Sequence, residues 1–364
     1  MKYKLSDICE YAKGKVAVET LDERTYISTE NMLPNKGGID IASSLPTISQ
    51  TQEYMVGDVL VSNIRPYFKK IWHAEFEGGC SNDVLVFRAK DGTDPDFLYY
   101  VLANDEFFDY SMATSKGTKM PRGDKKALME YEVPNYPLRI QRKIASLLKS
   151  IDGKIAINSE INKNLEQQAS TIYQAWFEDF IPFDGVCPEG WEEGVLSDIA
   201  NITSGKRPPM KSTEKTDIAA IPLVGAASIM GFTSESNHTE KILVTGRVGT
   251  HGVVQRFNAP CWTSDNTLVI TSDLYEYTYQ ILQRIDYHAM NRGSTQPLIT
   301  QGDMNKVAIL IPDRQTLDNF EALVGQLMLQ YEANLLENTR LAELRDALLP
   351  RLMSGELDVS ELNL

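Results

Sequence analysis

The residues of this chain whose types could do chemistry together are cations and amides on predicted loops. They fall into two groups. The first holds Asn63, Arg65, Lys69, Lys70, Lys116, Thr118, Lys119, Arg122, Lys125 and Lys126. The second holds Lys206, Arg207, Lys211, Arg247, His251, Arg292, Thr295 and Gln296. Such groups suit DNA: Arg and Lys neutralise phosphates and grip guanine, Asn and Gln match the edge of adenine, and Gly lets backbone approach closely. The densest run is TSKGTKMPRGDKK, with four Lys and one Arg inside 11 residues. Taken singly, each of these residues could equally sit on an ordinary solvated loop.

Enzyme motifs do not accompany them. The Gly-Lys pairs at 14, 153 and 205 are followed by Val, Ile and Arg, so none is a phosphate-cradling P-loop. Neither GxSxG, HExxH nor GxGxxG occurs. His73, His238, His251 and His288 are scattered and read as surface or core residues. Cys9, Cys80, Cys187 and Cys261 lie 71, 107 and 74 residues apart, which excludes a CxxC zinc or redox pair and fits reduced thiols. Asp58, Asp83 and Asp265 could serve a metal-dependent nuclease, but Asp83 and Asp265 precede strands, where Asx side chains commonly bond nearby backbone. No catalytic residue and no metal ligand is assigned.

The elements that must position the cations are legible as a repeat. Leu5-Ser6-Asp7-Ile8 with Gly14-Lys15 returns as Leu196-Ser197-Asp198-Ile199 with Gly205-Lys206, an offset of 191. Residues 81–86 face 264–269 at offset 183, and 117–121 face 293–297 at 176. Val133-Pro134 and Ile311-Pro312 close the halves, and a long helical pattern follows each. In the first helix, Ile144, Ile151, Asn158, Leu165 and Ile172 occupy heptad position d, while Leu148, Ile155, Asn162, Ala169 and Trp176 occupy a. The second helix has Phe320, Leu327, Asn334, Leu341 and Leu348 at d, with Val324, Tyr331, Asn338, Arg345 and Leu352 at a. Asn158, Asn162, Asn334 and Asn338 therefore fall mid-seam. Parallel and antiparallel pairing would both align them. Connectivity favours antiparallel, because each helix is a rod of ~60 Å and a compact globule must link the end of one to the start of the other.

Each globule reads as mixed α/β, with short β-rich runs at 58–62, 84–88 and 267–270 and helical stretches at 95–110 and 274–289. Asp94-Pro95 opens the first of these as a cap followed by Pro in the first turn. The expected layout is residues 1–137 as a first globule, 138–181 as a first helix, 182–313 as a second globule, 314–355 as a second helix and 356–364 as an acidic tail outside the packed seam. The fold class is α/β (α+β): two similar mixed α/β globules separated by a long antiparallel two-helix coiled coil, with an internal pseudo-twofold repeat.

Size and charge agree with this layout. The 364 residues, 42% of them hydrophobic, suffice for two or three cores. The net charge of −14 argues against coating nucleic acid or anionic membrane in bulk, and no segment exceeds +1, so any DNA contact must use local patches. The N-terminus lacks an apolar signal region and no window reaches 18 uncharged apolar residues, which predicts a soluble, untargeted, cytoplasmic protein without membrane contact.

Three further segments carry a family resemblance: Pro137-Leu138-x-x-Gln141-Arg142-Lys143-Ile144-Ala145 opens the first helix, Ile151-Asp152-x-Lys154-Ile155 lies within it, and Leu348-Leu349-Pro350-Arg351-Leu352-Met353-Ser354-Gly355-Glu356-Leu357 closes the second. With the globule-helix-globule-helix order, they closely resemble the specificity subunit of type I restriction-modification enzymes. The resemblance spans the chain, being strong in the helices and weak within the globules. It implies two target-recognition domains, each reading half of a bipartite site in double-stranded DNA, and a helical spacer that docks two methyltransferase subunits. Restriction (motor-nuclease) subunits would complete the complex. S-adenosylmethionine, ATP and Mg would belong to those partners, and no cofactor to this chain. The runner-up is the specificity module of a related type II (IIB/IIG-like) system. From other classes, the nuclease reading predicts nicking of a plasmid with Mg²⁺, and a coiled-coil scaffold predicts no salt-dependent shift of any duplex.

Overall fold

The structure is a computed structural model that describes residues 2–117, 119–250, 252–290 and 298–361. It divides into two compact units, residues 1–158 with 336–364, and residues 159–335. Among the described residues no helix is long and apolar enough to cross a membrane.

In the first unit an antiparallel sheet orders the strands Cys9–Tyr11, Val84–Ala89, Val59–Ser62 and Ile71–His73. Its two central strands carry the apolar runs Val59-Leu60-Val61 and Val84-Leu85-Val86-Phe87, buried on both faces, before ending in Ser62 and in Arg88-Ala89. Alternate side chains enter different cores: Val59, Val61, Leu85 and Phe87 meet the helices, while Leu60, Val84, Val86 and Trp72 meet Tyr54, Ile27 and Cys80. That second core is closed by a smaller sheet of Lys15–Ala17, Gln50–Tyr54, Gly78–Cys80 and Tyr26–Ile27. Asp94 Oδ1 accepts the Phe97 N–H at 3.0 Å and caps the helix Pro95–Ala103. The single helix expected over 95–110 is two, because Asn104 is extended (φ −65°, ψ 137°) and starts a second helix, Asp105–Ala113.

The second unit repeats this plan. Asn201–Ser204, Thr267–Thr271, Ile242–Gly246 and Gln255–Phe257 form the matching sheet, with Leu243, Leu268 and Ile270 in one core and Ile242, Val244 and Val269 in the other. Glu10 stands opposite Arg88 as Asn201 stands opposite Thr271, the sequence offsets of 191 and 183 holding on both strands. Val133-Pro134 and Ile311-Pro312 lie at the last strands of the two halves, Glu132–Pro134 and Ala308–Ile311; within them Val133 pairs with Tyr3 and Ile309 with Gly194, so Val133 and Ile309 hold the same place. The helix expected over 274–289 is shorter, Tyr275–Arg284, because Ile285 turns extended.

The long helices are Leu138–Phe177 and Arg314–Ser354. Within the first unit, Ile144 and Leu148 share a core with Leu349 and Leu352, Arg345 Nη1 pairs with Asp152 at 2.8 Å, and Asn158 Nδ2 donates to Asn338 Oδ1 at 2.9 Å. Within the second unit, Asn334 Nδ2 donates to Asn162 Oδ1 at 2.8 Å, and the ring of Trp176 lies 6.0 Å from that of Phe320. In both units rising numbers on one helix meet falling numbers on the other, so the pairing is antiparallel. Each buried seam Asn meets an amide of the facing helix, although the Asn158 Oδ1 is left buried without a partner.

The acidic C-terminal tail expected over 356–364 is, as far as residue 361, part of the first core. Val359 is buried, Leu357 packs beside it, and Lys143 Nζ donates to the Ser360 carbonyl at 2.5 Å. Gly355, at φ +80°, turns the chain back after the helix. The sequence pattern missed this because only two apolar residues, spaced off the heptad, do the docking.

One residue of the second long helix caps the short helix Tyr275–Arg284. Glu321 accepts the N–H groups of Glu276 (3.1 Å) and Tyr277 (2.8 Å) in the first turn of Tyr275–Arg284. Burial nevertheless pushes its carboxyl from the usual range up to about 7. Because the folded pKa lies above the unfolded one, the stability gained by keeping this group protonated is present below the unfolded carboxyl pKa of ~4.3 and is lost as pH rises through about 7. Glu321→Gln is therefore expected to flatten the fall in melting temperature between pH 5 and 8; parallel melting curves for the two proteins would contradict this.

Candidate nucleic-acid interface

The first group of cations is assembled by backbone bonds at the end of the central sheet. Where Val59–Ser62 leaves the sheet, Asn63 N–H donates to the Asp83 carbonyl at 2.8 Å and Gly123 N–H donates to the Asn63 carbonyl at 3.3 Å. Arg65 N–H donates to Pro121, and Lys116 and Arg122 exchange two bonds. Residues 63–70, 81–83, Lys116 and 121–123 are thereby tied into one cluster. Gly123 leaves room for the side chains around it, since a Cβ there would stand 2.9 Å from Asn63 Oδ1 and 3.0 Å from Ser111 Oγ and would push these side chains aside.

The side chains of this cluster are arranged as follows. Arg122 Nη2 lies 3.1 Å from Asp83 Oδ1 and remains half exposed. Lys69 pairs with Asp105 at 2.9 Å, and Lys70 Nζ donates to the Thr29 carbonyl at 2.6 Å, with burial lowering its pKa. Lys116 pairs with Asp124, whose carboxyl is held down at about 2 by Lys116 and by the N–H groups of Ala127 and Lys126. Lys119 is exposed, and Thr118 lies outside the described residues. Lys125 and Lys126 point to solvent from the short helix Lys125–Leu128. Asn63 Oδ1 and Arg65 Nε are buried without a hydrogen-bond partner, an unusual state for groups that ordinarily find one.

In the second unit Arg247 repeats the position of Asn63. Its N–H donates to the Asn266 carbonyl at 2.8 Å and its carbonyl accepts from Ile299 at 3.0 Å, the same two crossings. Its Nε is also buried and unpartnered. Lys206 N–H donates to Thr263 at 2.9 Å and its carbonyl accepts the Trp262 indole N–H at 2.8 Å, which brings Lys206 and Arg207 to the same loop, 263–266. Gly205 must be glycine, because a Cβ would meet the Ser264 carbonyl at 2.1 Å. Arg207 and Lys211 are exposed. His251, Arg292, Thr295 and Gln296 lie outside the described residues.

The equivalence of Asn63 and Arg247 is invisible to residue matching, because their types differ; only the end of the preceding strand locates it. Sequence reasoning also missed Asn35 and Lys36, whose N–H groups bond Phe68 and Lys69, and the exposed rings of Tyr67 and Phe68 on the turn between Arg65 and Lys69. A short loop with one lysine carries no motif.

The metal-nuclease alternative loses its first ligand. Asp58 is buried and grips Arg88 with both oxygens, Oδ1 to Nε at 2.8 Å and Oδ2 to Nη2 at 2.6 Å, while also accepting the Met55 N–H. Asp83 is engaged by Arg122. Asp58 thus serves the fold and Asp83 the cation cluster.

Comparison with known proteins follows the repeat. The family described as Type I restriction modification DNA specificity domain matches residues 1–167 and again 188–345. The type I restriction enzyme MjaIX specificity subunit of Methanocaldococcus jannaschii is 30% identical over 311 residues, covering 75% of this chain and 71% of the relative. The type I restriction enzyme HindI specificity subunit of Haemophilus influenzae is 23% identical over 458 residues, covering 98% and 99%. In fold, the chain is similar to the crystal structure of the type I restriction-modification S subunit from M. genitalium, with a TM-score of 0.59 at 18% identity, covering 99% of this chain and 96% of that one.

Proposed function

Since the chain belongs to the type I restriction-modification DNA specificity family, we propose that each unit reads one half of a bipartite duplex target through the loop cluster at the end of its central sheet. The observation that carries this is the repeated crossing at Asn63 and Arg247, which brings polar and cationic loops to the same place in two independent cores. The helix pair sets the gap between half-sites and docks two methyltransferase subunits, and restriction subunits complete the assembly. Methyl transfer, ATP hydrolysis and cleavage are the work of those partners, with their S-adenosylmethionine, ATP and Mg; this chain supplies recognition only. Charged side chains that reach phosphate fix register, and the amide and guanidinium groups discriminate bases.

The test uses the chain assembled with its methyltransferase partners and a duplex carrying its target. Lys119→Ala and Arg122→Ala are each expected to weaken binding and to lower the slope of log affinity against log salt by about 1. An unchanged slope in both variants would remove residues 116–122 from the interface.

A further inference from the structure

Among the described residues, six that are not glycine have left-handed backbone, and four of them stand together in the first unit: Asn35 (φ 55°), Lys36 (61°), Arg65 (50°) and Lys69 (49°). Two backbone bonds zip the loops that carry them, Asn35 N–H to the Phe68 carbonyl at 2.8 Å and Lys36 N–H to the Lys69 carbonyl at 2.9 Å. The two lysines then converge on one carboxylate. Lys36 Nζ lies 2.8 Å from Asp105 Oδ1 and Lys69 Nζ lies 2.9 Å from Asp105 Oδ2. Asp105 is 56% exposed at its side chain while Lys36 and Lys69 are 16% and 30% exposed, so the carboxylate is the solvent-facing member that covers the two lysines.

Stability does not account for this arrangement. A left-handed non-glycine residue costs ~1–3 kcal/mol, whereas an exposed ion pair returns ~0–1 kcal/mol. Strain of this kind persists where the surrounding structure enforces it and where a ligand uses the result. The two oxygens of Asp105 present to the lysines what the two non-bridging oxygens of a phosphodiester would present.

We propose that Lys36 and Lys69 form a clamp for one backbone phosphate of DNA, and that the Asp105 carboxylate holds the place of that phosphate in the free protein. This rests on the chain's reading duplex DNA and adds to it a residue, Lys36, and an exchange: the phosphate displaces Asp105 from the two ammonium groups. The exchange is one anion for another, so it adds little to affinity away from a phosphate of the right position. Elsewhere on a duplex the two lysines stay paired with Asp105, which limits loose, sequence-independent phosphate contacts.

The experiment measures duplex binding by the full chain with its methyltransferase partners, between 50 and 200 mM salt, on a target duplex and on one lacking the target. Lys36→Ala is expected to weaken target binding by ~3–10-fold, and Lys36→Ala with Lys69→Ala to lower the salt slope by about 1, with an unchanged melting temperature. Lys36→Arg should restore binding, as a merely structural lysine would not require. Asp105→Asn should tighten binding to the duplex without the target severalfold, and no tightening would overturn the place-holding role. If the unaltered assembly binds and the double variant keeps its slope, the clamp is wrong while the DNA reading stands. If the unaltered assembly shows no salt-dependent binding, both fall. Inorganic phosphate alone is the third arm: a phosphate-dependent rise in melting temperature, lost in the double variant while its duplex slope is unchanged, would assign a free-anion site instead.

Discussion

Replacing residues 1–137 with the equivalent segment of a relative is expected to change one half of the methylated sequence and leave the other half as it was. Every loop of the first cluster, from Asn35 to Arg122, lies inside this segment and is braced by the two sheets of the first unit. Arg247 and Lys206 are braced by a separate sheet within residues 159–335. The effect is large: each mismatched base pair costs ~1–3 kcal/mol, so three changed pairs consume ~3–9 kcal/mol of the ~4–10 kcal/mol that separates specific from non-specific binding. Modification of the old site should therefore cease rather than weaken. The graft has a packing condition, because Phe97, Leu98 and Val133 share a core with Ile144, Leu148, Leu349, Leu352 and Val359. A donor that overfills that core loses ~1–3 kcal/mol of stability and must be matched there first. Mapping of methylated bases decides the matter, and changes in both halves would mean that the units read jointly.

The helix pair was legible in the sequence because its signal is periodic: a heptad over some 40 residues accumulates more evidence than any strand of four. The repeat was legible where backbone geometry forces a residue type. Gly205 meets the Ser264 carbonyl, and Leu5 and Leu196 are fully buried in the two equivalent cores, so these positions keep their residue type in both halves. The break at Asn104 was not legible, since Asn neither forbids a helix nor marks its end, and tertiary packing decides. The docked tail was missed for a similar reason, as Leu357 and Val359 follow no helical spacing. In the interface, cation density along the chain singled out residues 116–126 but passed over Lys36, which reaches Asp105 only because residues 33–38 fold onto residues 65–69. Charge counting along a chain sees neighbours in sequence; here the partners are neighbours in space.

Deleting residues 159–162 from the first long helix together with 334–337 from the second is expected to contract the unread gap between half-sites by one or at most two base pairs. The pairing dictates this choice. Asn158 meets Asn338 and Asn162 meets Asn334, so the two segments face each other and their removal takes out one amide pair while leaving the other opposite its partner. Four residues at 1.5 Å shorten each helix by ~6 Å, and duplex DNA rises ~3.4 Å per base pair on each strand. Rotation is the stricter condition. Four residues fall ~40° short of or beyond whole turns, and one base pair in ~10 turns the duplex by a similar angle, so a spacer lying along the DNA still presents both readers to their half-sites. A seven-residue deletion is the informative contrast: it keeps the heptad phase and shortens the helices by ~10.5 Å, but three base pairs turn the duplex by about 105°, against only ~20° for the helices. The four-residue variant should therefore methylate a site with a shorter gap and the same read bases, whereas the seven-residue variant should fold and modify poorly. Equal tolerance of both deletions with the gap unaltered would show that the helices do not set the spacing, and altered half-sites would show that they take part in reading.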